Sequence, residues 1–102
     1  MAAKIYISAA TASVNSDKFQ IRTCDIPTSI SASGLSGTET VDLQITHDDG
    51  SNWFDAYYCG NKVQLTATNN QTILLGPGTF RFSKGATLSA VTAAVATDRL
   101  GL

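Results

Sequence analysis

The chain has 102 residues, the size of one domain, and we expect a single domain over residues 1–102. Charged residues make up 15% of it and the net charge is −1, which argues against nucleic acid as a partner because nucleic-acid-binding proteins carry strongly basic patches. The sequence has no apolar run long enough to span a membrane, and no membrane partner is expected. It contains a single Glu but many β-branched residues, a composition that favours an all-β protein.

The N-terminal stretch from Met1 to Ile7 lacks the features of a signal peptide, because its apolar run is short and is interrupted by polar residues. We therefore expect the chain to be made and folded in a cytosol, where Cys24 and Cys59 would be reduced thiols. A Cys24–Cys59 disulfide, which would suit a secreted sandwich, stays open as the alternative. The two cysteines lack the spacing of a metal site or a redox pair.

Several segments alternate apolar and polar residues with the period of two that a half-buried strand requires. In chain order, these predicted strands are residues 3–9, 18–24, 28–33, 41–46, 53–58, 62–68, 71–75 and 79–83. The alternation places Ile5 and Ile7 on one face of the first strand. In the strand 79–83, the alternation predicts Phe80 and Phe82 on one face and Arg81 and Lys84 on the other.

Turn residues separate these segments: Pro27, Gly34 and Gly37, Gly60-Asn61, Asn69-Asn70 and Gly76-Pro77-Gly78. The segment Thr87–Thr97 is ambiguous, since Leu88, Val91 and Val95 have helical spacing within a run of β-branched residues. A strand is favoured there, with a helix as the alternative. The sum is seven to nine short strands, which predicts a single antiparallel β-sandwich, immunoglobulin-like or jelly-roll-like.

The stretch Thr46–Trp53, THDDGSNW, resembles an Asp-box, in which Ser or Thr, Asp, Gly and Trp recur at fixed spacing. We expect Asp48 to accept backbone N–H groups across the turn, Gly50 to adopt a positive φ and the Trp53 ring to cover the turn. In sialidases and other carbohydrate-processing proteins the motif recurs on successive propeller blades and is structural. The sequence therefore predicts a hairpin lock of Asp48, Gly50 and Trp53, with only a hint of sugar binding.

The same turn holds residues that suggest chemistry. Asp48-Asp49-Gly50-Ser51-Asn52 lacks the alternating acids and final Glu of a helix–loop–helix calcium loop, so no metal site is expected. His47 is the only histidine, with Ser51 four residues away on the same turn. A triad assembled from distant segments stays open, but a solvent-exposed turn histidine is favoured. No acid, base and nucleophile set is visible, and we expect no enzyme activity and no cofactor.

Four aromatic residues follow the turn. On a strand, Trp53 and Tyr57 share one face, and Phe54 and Tyr58 share the other. One set can fill the core, which leaves the other exposed. Exposed aromatic side chains mark either sugar platforms or protein interfaces.

The stretch GLSGTETVDLQITHDDGSNW, continued by VQLTATNNQTILLGPGTFRF, resembles small structural proteins of tailed bacteriophages. The resemblance is carried by Gly34-Leu35 with Glu39, the strand Val41-x-Leu43-Gln44, the polar hairpin at Trp53 and the Gly76-Pro77-Gly78 turn before an aromatic strand. It spans residues 34–82. It implies a β-sandwich virion component, often a head decoration or cement protein that binds the outer capsid in repeated copies and has no active site.

From this resemblance we expect the major capsid protein and neighbouring copies of the chain as partners. We expect a homo-oligomer, with a trimer favoured, on the outer capsid surface of the virion after synthesis in the host cytoplasm. The candidate partner contacts are Phe54, Tyr57, Tyr58, Leu100 and Leu102. The alternative is a carbohydrate-binding β-sandwich module of a phage tail or surface appendage, with Trp53, Tyr57 or Tyr58 as the sugar platform.

Overall fold

A computed structural model of the chain describes residues 2–21, 28–58, 60–74 and 78–97. These residues form twelve strands in antiparallel sheets and no helix, so the predicted all-β fold is confirmed. The strands are β1 Ala2–Ala10, β2 Val14–Asn15, β3 Phe19–Ile21, β4 Thr28–Ser33, β5 Thr40–Thr46, β6 Phe54–Asp55, β7 Tyr57–Tyr58, β8 Asn61–Lys62, β9 Gln64–Thr66, β10 Gln71–Leu74, β11 Gly78–Lys84 and β12 Val91–Thr97.

The strands form two main sheets and one small ribbon. The four-stranded sheet has the order β1-β12-β4-β10, and the six-stranded sheet has the order β2-β11-β5-β6, with β3 also paired to β11 and β9 also paired to β5. The ribbon is the pair β7-β8. The expected count of seven to nine strands is too low for two reasons. Val14–Asn15 also pairs, as β2, and the ribbon divides two predicted strands, one into β6 and β7 and the other into β8 and β9.

The core lies between the two main sheets, and the chain is a β-sandwich. Val41, Leu43 and Phe82 from the six-stranded sheet, and Ile30 and Val91 from the four-stranded sheet, are almost completely buried in one hydrophobic cluster. Their alternation along each strand directs every second side chain inward. In the segment Thr87–Thr97 the predicted strand is confirmed over Val91–Thr97, whereas residues 87–90 belong to the loop before it. None of the segment is a helix.

The expected face of Ile5 is wrong. Ile5 pairs with Ala94 and Ile7 pairs with Ala93, so Tyr6 is an extra residue at a β-bulge. A bulge shifts the alternation by one position, which turns the side chains before and after it to opposite faces. Ile7 is buried in the core, whereas Ile5 is 56% exposed on the outer face.

The expected face of Lys84 is also wrong. β11 continues to residue 84, where Lys84 pairs with Val41, so Lys84 shares the inward face of Phe80 and Phe82. Its side chain is only 3% exposed. A buried ammonium group requires hydrogen-bond acceptors, and three polar oxygens surround this one.

Several predicted features lie outside the described residues: Cys24, Pro27, Cys59, the Gly76-Pro77 part of the glycine–proline turn, and the candidate contacts Leu100 and Leu102. The described ranges contain no helix that could span a membrane.

Candidate functional site

The turn after β5 is held by the side chains of Thr46 and Asp48. Asp48 Oδ1 accepts hydrogen bonds from the Thr46 hydroxyl at 2.8 Å and from the Asn52 N–H at 2.9 Å, and Oδ2 accepts one from Asn52 Nδ2 at 2.6 Å. The Thr46 hydroxyl oxygen in turn accepts the Gly50 N–H at 3.0 Å. These bonds satisfy backbone donors locally, as in an Asx-turn, and close the hairpin without help from distant residues.

The backbone and the tryptophan complete this turn. Gly50 has φ +98° and Asp49 has φ +59°, both in the left-handed region that Gly and Asp tolerate best. Trp53 Cζ2 lies 3.8 Å from the position that a Cβ on Gly50 would take, so the indole borders the turn. Its ring also lies 4.5 Å from the guanidinium of Arg81, whose Nε donates to Gln44 at 2.8 Å.

The electrostatics of the turn make Asp48 a structural acceptor. Hydrogen bonds from the Asn52 side chain and backbone and from Thr46 lower the pKa of Asp48 to about 2. The Lys18 ammonium, 2.8 Å from Asp49, holds the pKa of that carboxyl below its usual range. Both carboxylates are therefore ionised at neutral pH, which suits hydrogen-bond acceptance and not proton donation.

His47 lies at the start of this turn and is exposed. Its ring packs beside that of Phe54, with 6.3 Å between the ring centroids. The neighbouring Asp48 carboxylate is occupied by Thr46 and Asn52. The described part of the chain contains no group of three or more His, Cys, Asp or Glu side chains that could hold a metal ion.

The predicted strand over residues 53–58 is interrupted. β6 pairs with β5, and the Ala56 N–H still donates to Leu43 at 3.0 Å. The chain then leaves the sheet as the ribbon β7-β8 and returns to it at Val63. The Val63 N–H donates to the Ala56 carbonyl at 2.9 Å, and the Val63 carbonyl accepts the Leu43 N–H at 3.1 Å. The ribbon is thus a small hairpin inserted into the edge of the six-stranded sheet.

This insertion decides where the aromatic side chains lie. Phe54, Tyr57 and Tyr58 are 56%, 66% and 43% exposed, whereas Ala56 is buried. The expectation that one aromatic set fills the core is wrong, because Ala56 takes the inward position and the ribbon carries both tyrosines away from the sheets. We call Phe54, Tyr57 and Tyr58 the aromatic edge. Aromatic side chains combine a large apolar area with few rotatable bonds, which suits them to contact with another molecule.

One lysine pairs with two aspartates at the base of the ribbon. Lys62 Nζ lies 3.4 Å from an oxygen of Asp42 and 3.5 Å from one of Asp55, and Gln64 Nε2 donates to Asp42 at 2.8 Å. Asp42, with a smaller contribution from Asp55, raises the pKa of Lys62. The aromatic edge therefore adjoins an ion network that contains charges of both signs.

A groove of about 380 Å³ lies beside the ribbon. It is lined by Tyr58, Asn61, Lys62, Val63, Gln64, Asn69 and Thr72. Within the described chain, the side-chain amides of Asn61 and Asn69 make no hydrogen bond. An aromatic ring beside free amides can bind the apolar face and the hydroxyl groups of a sugar. No local sequence pattern marks this set, because its members come from β7, β8, β9 and β10 and from the links between them.

Comparison with protein-family models gives no match, and neither the curated proteins nor the solved structures compared with the chain give one. Function is therefore inferred from these surfaces and from the sequence.

Proposed function

We propose that the chain is a non-enzymatic structural protein of a tailed-bacteriophage virion. It acts as a decoration or cement protein that binds the outer head shell and bridges subunits of the major capsid protein. The observation that carries this proposal is the aromatic edge, three exposed aromatic residues within the five positions from Phe54 to Tyr58. The resemblance of residues 34–82 to phage structural proteins supports the same role.

The aromatic edge supplies a physical reason to bind. Fully burying an aromatic side chain of this size contributes about 1.5–3 kcal/mol, and such residues carry much of the affinity of protein interfaces. The inserted ribbon places Tyr57 and Tyr58 beyond the edge of the sheet, where they can enter a joint between neighbouring subunits. A protein that binds the assembled shell, and not its separate subunits, stabilises the assembly by mass action.

The location of the chain in the virion tests this proposal. We expect mass spectrometry of purified heads to find many copies, and cryo-electron microscopy to place them over joints of the outer shell. We also expect heads that lack the chain to release DNA at a lower temperature. Virions whose heads carry none of the chain, or that carry it only in the tail, would refute the proposal.

A variant pair tests the contact surface. We expect Phe54→Ser combined with Tyr57→Ser to weaken binding to stripped heads by at least about tenfold, because two candidate anchors are removed. Leu88→Ser is the matched control, since Leu88 is 89% exposed in the loop between β11 and β12. Thermal unfolding checks that both variants fold. If the double variant and the control bind equally, the aromatic edge is not part of the interface.

A second candidate function is glycan binding in the groove beside Tyr58, which its aromatic and amide lining favours. We expect neutral oligosaccharides to bind and Tyr58→Ala to abolish binding. Tyr57→Ala is the control, because Tyr57 lies on the same ribbon but does not line the groove. If no oligosaccharide binds, or if both variants bind equally, this candidate fails.

A further inference from the structure

The outer face of the four-stranded sheet has no charged side chain among the described residues that the strand register places on it. These residues alternate with the buried ones and are Ile5, Ser29, Ser31, Ser33, Gln71, Ile73, Thr92, Ala94 and Ala96. We infer that this face, which we call the uncharged face, is an interface between two copies of the chain. The inference does not rest on the proposed function, because it requires no capsid.

The opposite outer face shows what a solvated face of this protein looks like. The six-stranded sheet presents Asp42, Asp55 and Arg81 there. Lys62 of the ribbon forms ion pairs with both aspartates, and Arg81 donates a hydrogen bond to Gln44. Charged residues normally cover the water-facing side of an antiparallel sheet and keep it soluble and monomeric. The two outer faces therefore differ in the property that separates a solvated surface from a contact surface.

The shape of the uncharged face allows a second sheet to pack against it. Ile5 on β1 and Ile73 on β10 are 56% and 58% exposed, and they flank the small side chains of β12 and β4. A trough of about 730 Å³ runs beside Ile73 and is lined by Ser29, Ser31, Gln71, Thr72, Ile73 and Ala96. Small residues allow two sheets to approach closely, and an isoleucine from a second copy can enter the trough.

The occupant is a second copy because the face matches itself. It offers no charge that would select a charged partner, and it carries both the apolar ridges and the trough that receives them. An interface in which one patch meets the same patch is two-fold symmetric. The four strands have 26 residues in total. At about 3.3 Å per residue and about 4.8 Å between strands, they give a flat footprint of about 410 Å² per copy. The pair buries about 800 Å² before side-chain relief is added, an area typical of weak, transient interfaces, so we expect reversible association.

Sedimentation equilibrium of the full chain tests the inference. We expect a monomer–dimer equilibrium between about 1 μM and about 1 mM. Ser31→Lys places a charge in the middle of the uncharged face, opposite its own copy, and should raise the dimer dissociation constant at least about tenfold. Ser83→Lys is the matched control, because Ser83 lies on a central strand but on the outer face of the other sheet, opposite Asp42. It should leave the dissociation constant unchanged.

Other outcomes would overturn the inference. They are a chain that stays monomeric at the highest concentration, an assembly that is a trimer, and a dimer that Ser31→Lys leaves intact or that Ser83→Lys breaks equally. Thermal unfolding checks that each variant folds. If Ser31→Lys fails to fold, Ser29→Lys repeats the test on the same strand and the same face.

Discussion

The ammonium group of Lys84 donates a 2.7 Å hydrogen bond to the carbonyl oxygen of Ala12, 72 residues earlier in the chain. It also donates to the Gly85 carbonyl at 2.9 Å and to the Thr87 hydroxyl at 3.3 Å. The Thr87 N–H donates to the Thr11 carbonyl at 2.8 Å. One buried side chain therefore ties the connection after β1 to the connection after β11 and closes one end of the sandwich.

Replacing this lysine should destabilise the protein strongly. Lys84→Met keeps the apolar stem but leaves the Ala12 and Gly85 carbonyls without this donor, so we expect a loss of about 2–3 kcal/mol in the free energy of unfolding. Urea denaturation measures it. Lys18→Met is the control, because Lys18 is half-exposed and its ion pair with Asp49 lies in solvent. Similar losses in the two variants would contradict a special role for Lys84.

Gly34 should tolerate no side chain. It has φ +93°, and a Cβ at this position would overlap the carbonyl oxygen of Ala90. We expect Gly34→Ala to cost about 3 kcal/mol, the sum of the left-handed strain and the backbone shift that the overlap forces. Gly37→Ala separates these causes, since Gly37 has φ +60° with nothing within 4 Å, and should cost about 1 kcal/mol. Chemical denaturation measures the free energy of unfolding of both variants. If both lose the same amount, the overlap with the Ala90 carbonyl adds nothing to the cost at Gly34.

Ala9 is a strained position in the first strand. It has φ +46° beside an irregularity in the pairing of β1 with β12, a conformation that costs an L-residue about 1–2 kcal/mol. We expect Ala9→Gly to stabilise the protein by about 0.5–1 kcal/mol, after the added entropy of the unfolded chain is subtracted. Ala10→Gly should instead destabilise it, because Ala10 is paired with Val91 and packs against the core. A loss of stability in Ala9→Gly would contradict the strain.

The Asp48 carboxylate should make stability depend on acid pH. Its pKa is about 2 in the folded chain against 3.8 for the free side chain, so the unfolded state binds more protons between these values. The contribution is complete above pH 3.8 and is lost as the pH falls towards 2. We expect Asp48→Asn to melt at a lower temperature than wild type at pH 7. At pH 2 we expect the difference between the two melting temperatures to be smaller.

The matched control for this pH dependence is Asp17→Asn. The Asp17 carboxylate is exposed and accepts no hydrogen bond from the described residues. Its substitution should leave the difference between the melting temperatures at pH 7 and pH 2 close to that of wild type. If Asp48→Asn and Asp17→Asn change that difference equally, the turn hydrogen bonds are not its source.

Local sequence patterns determined most of the strands and the hydrogen bonds of the Asp48 carboxylate. The strand Thr28–Ser33 lies where the alternation predicts it, because side chains of a half-buried strand must alternate whatever their partner is. The hydrogen bonds of Asp48 reach only Thr46 and Asn52, within four positions of it. Such short-range bonds follow from residue type and spacing alone.

The tertiary structure decided which side chains are exposed. A bulge at Tyr6 turned Ile5 outward. Lys84 follows the alternation of β11 onto the face of Phe80 and Phe82, and only the tertiary structure supplies the distant Ala12 carbonyl that accepts its hydrogen bond there. The ribbon that exposes Tyr57 and Tyr58 forms because the edge strand pairs with β5 on both sides of the insertion. The groove and the uncharged face join residues from separate strands. Pairing register and sheet order create these surfaces, and neither can be predicted from the alternation within one segment.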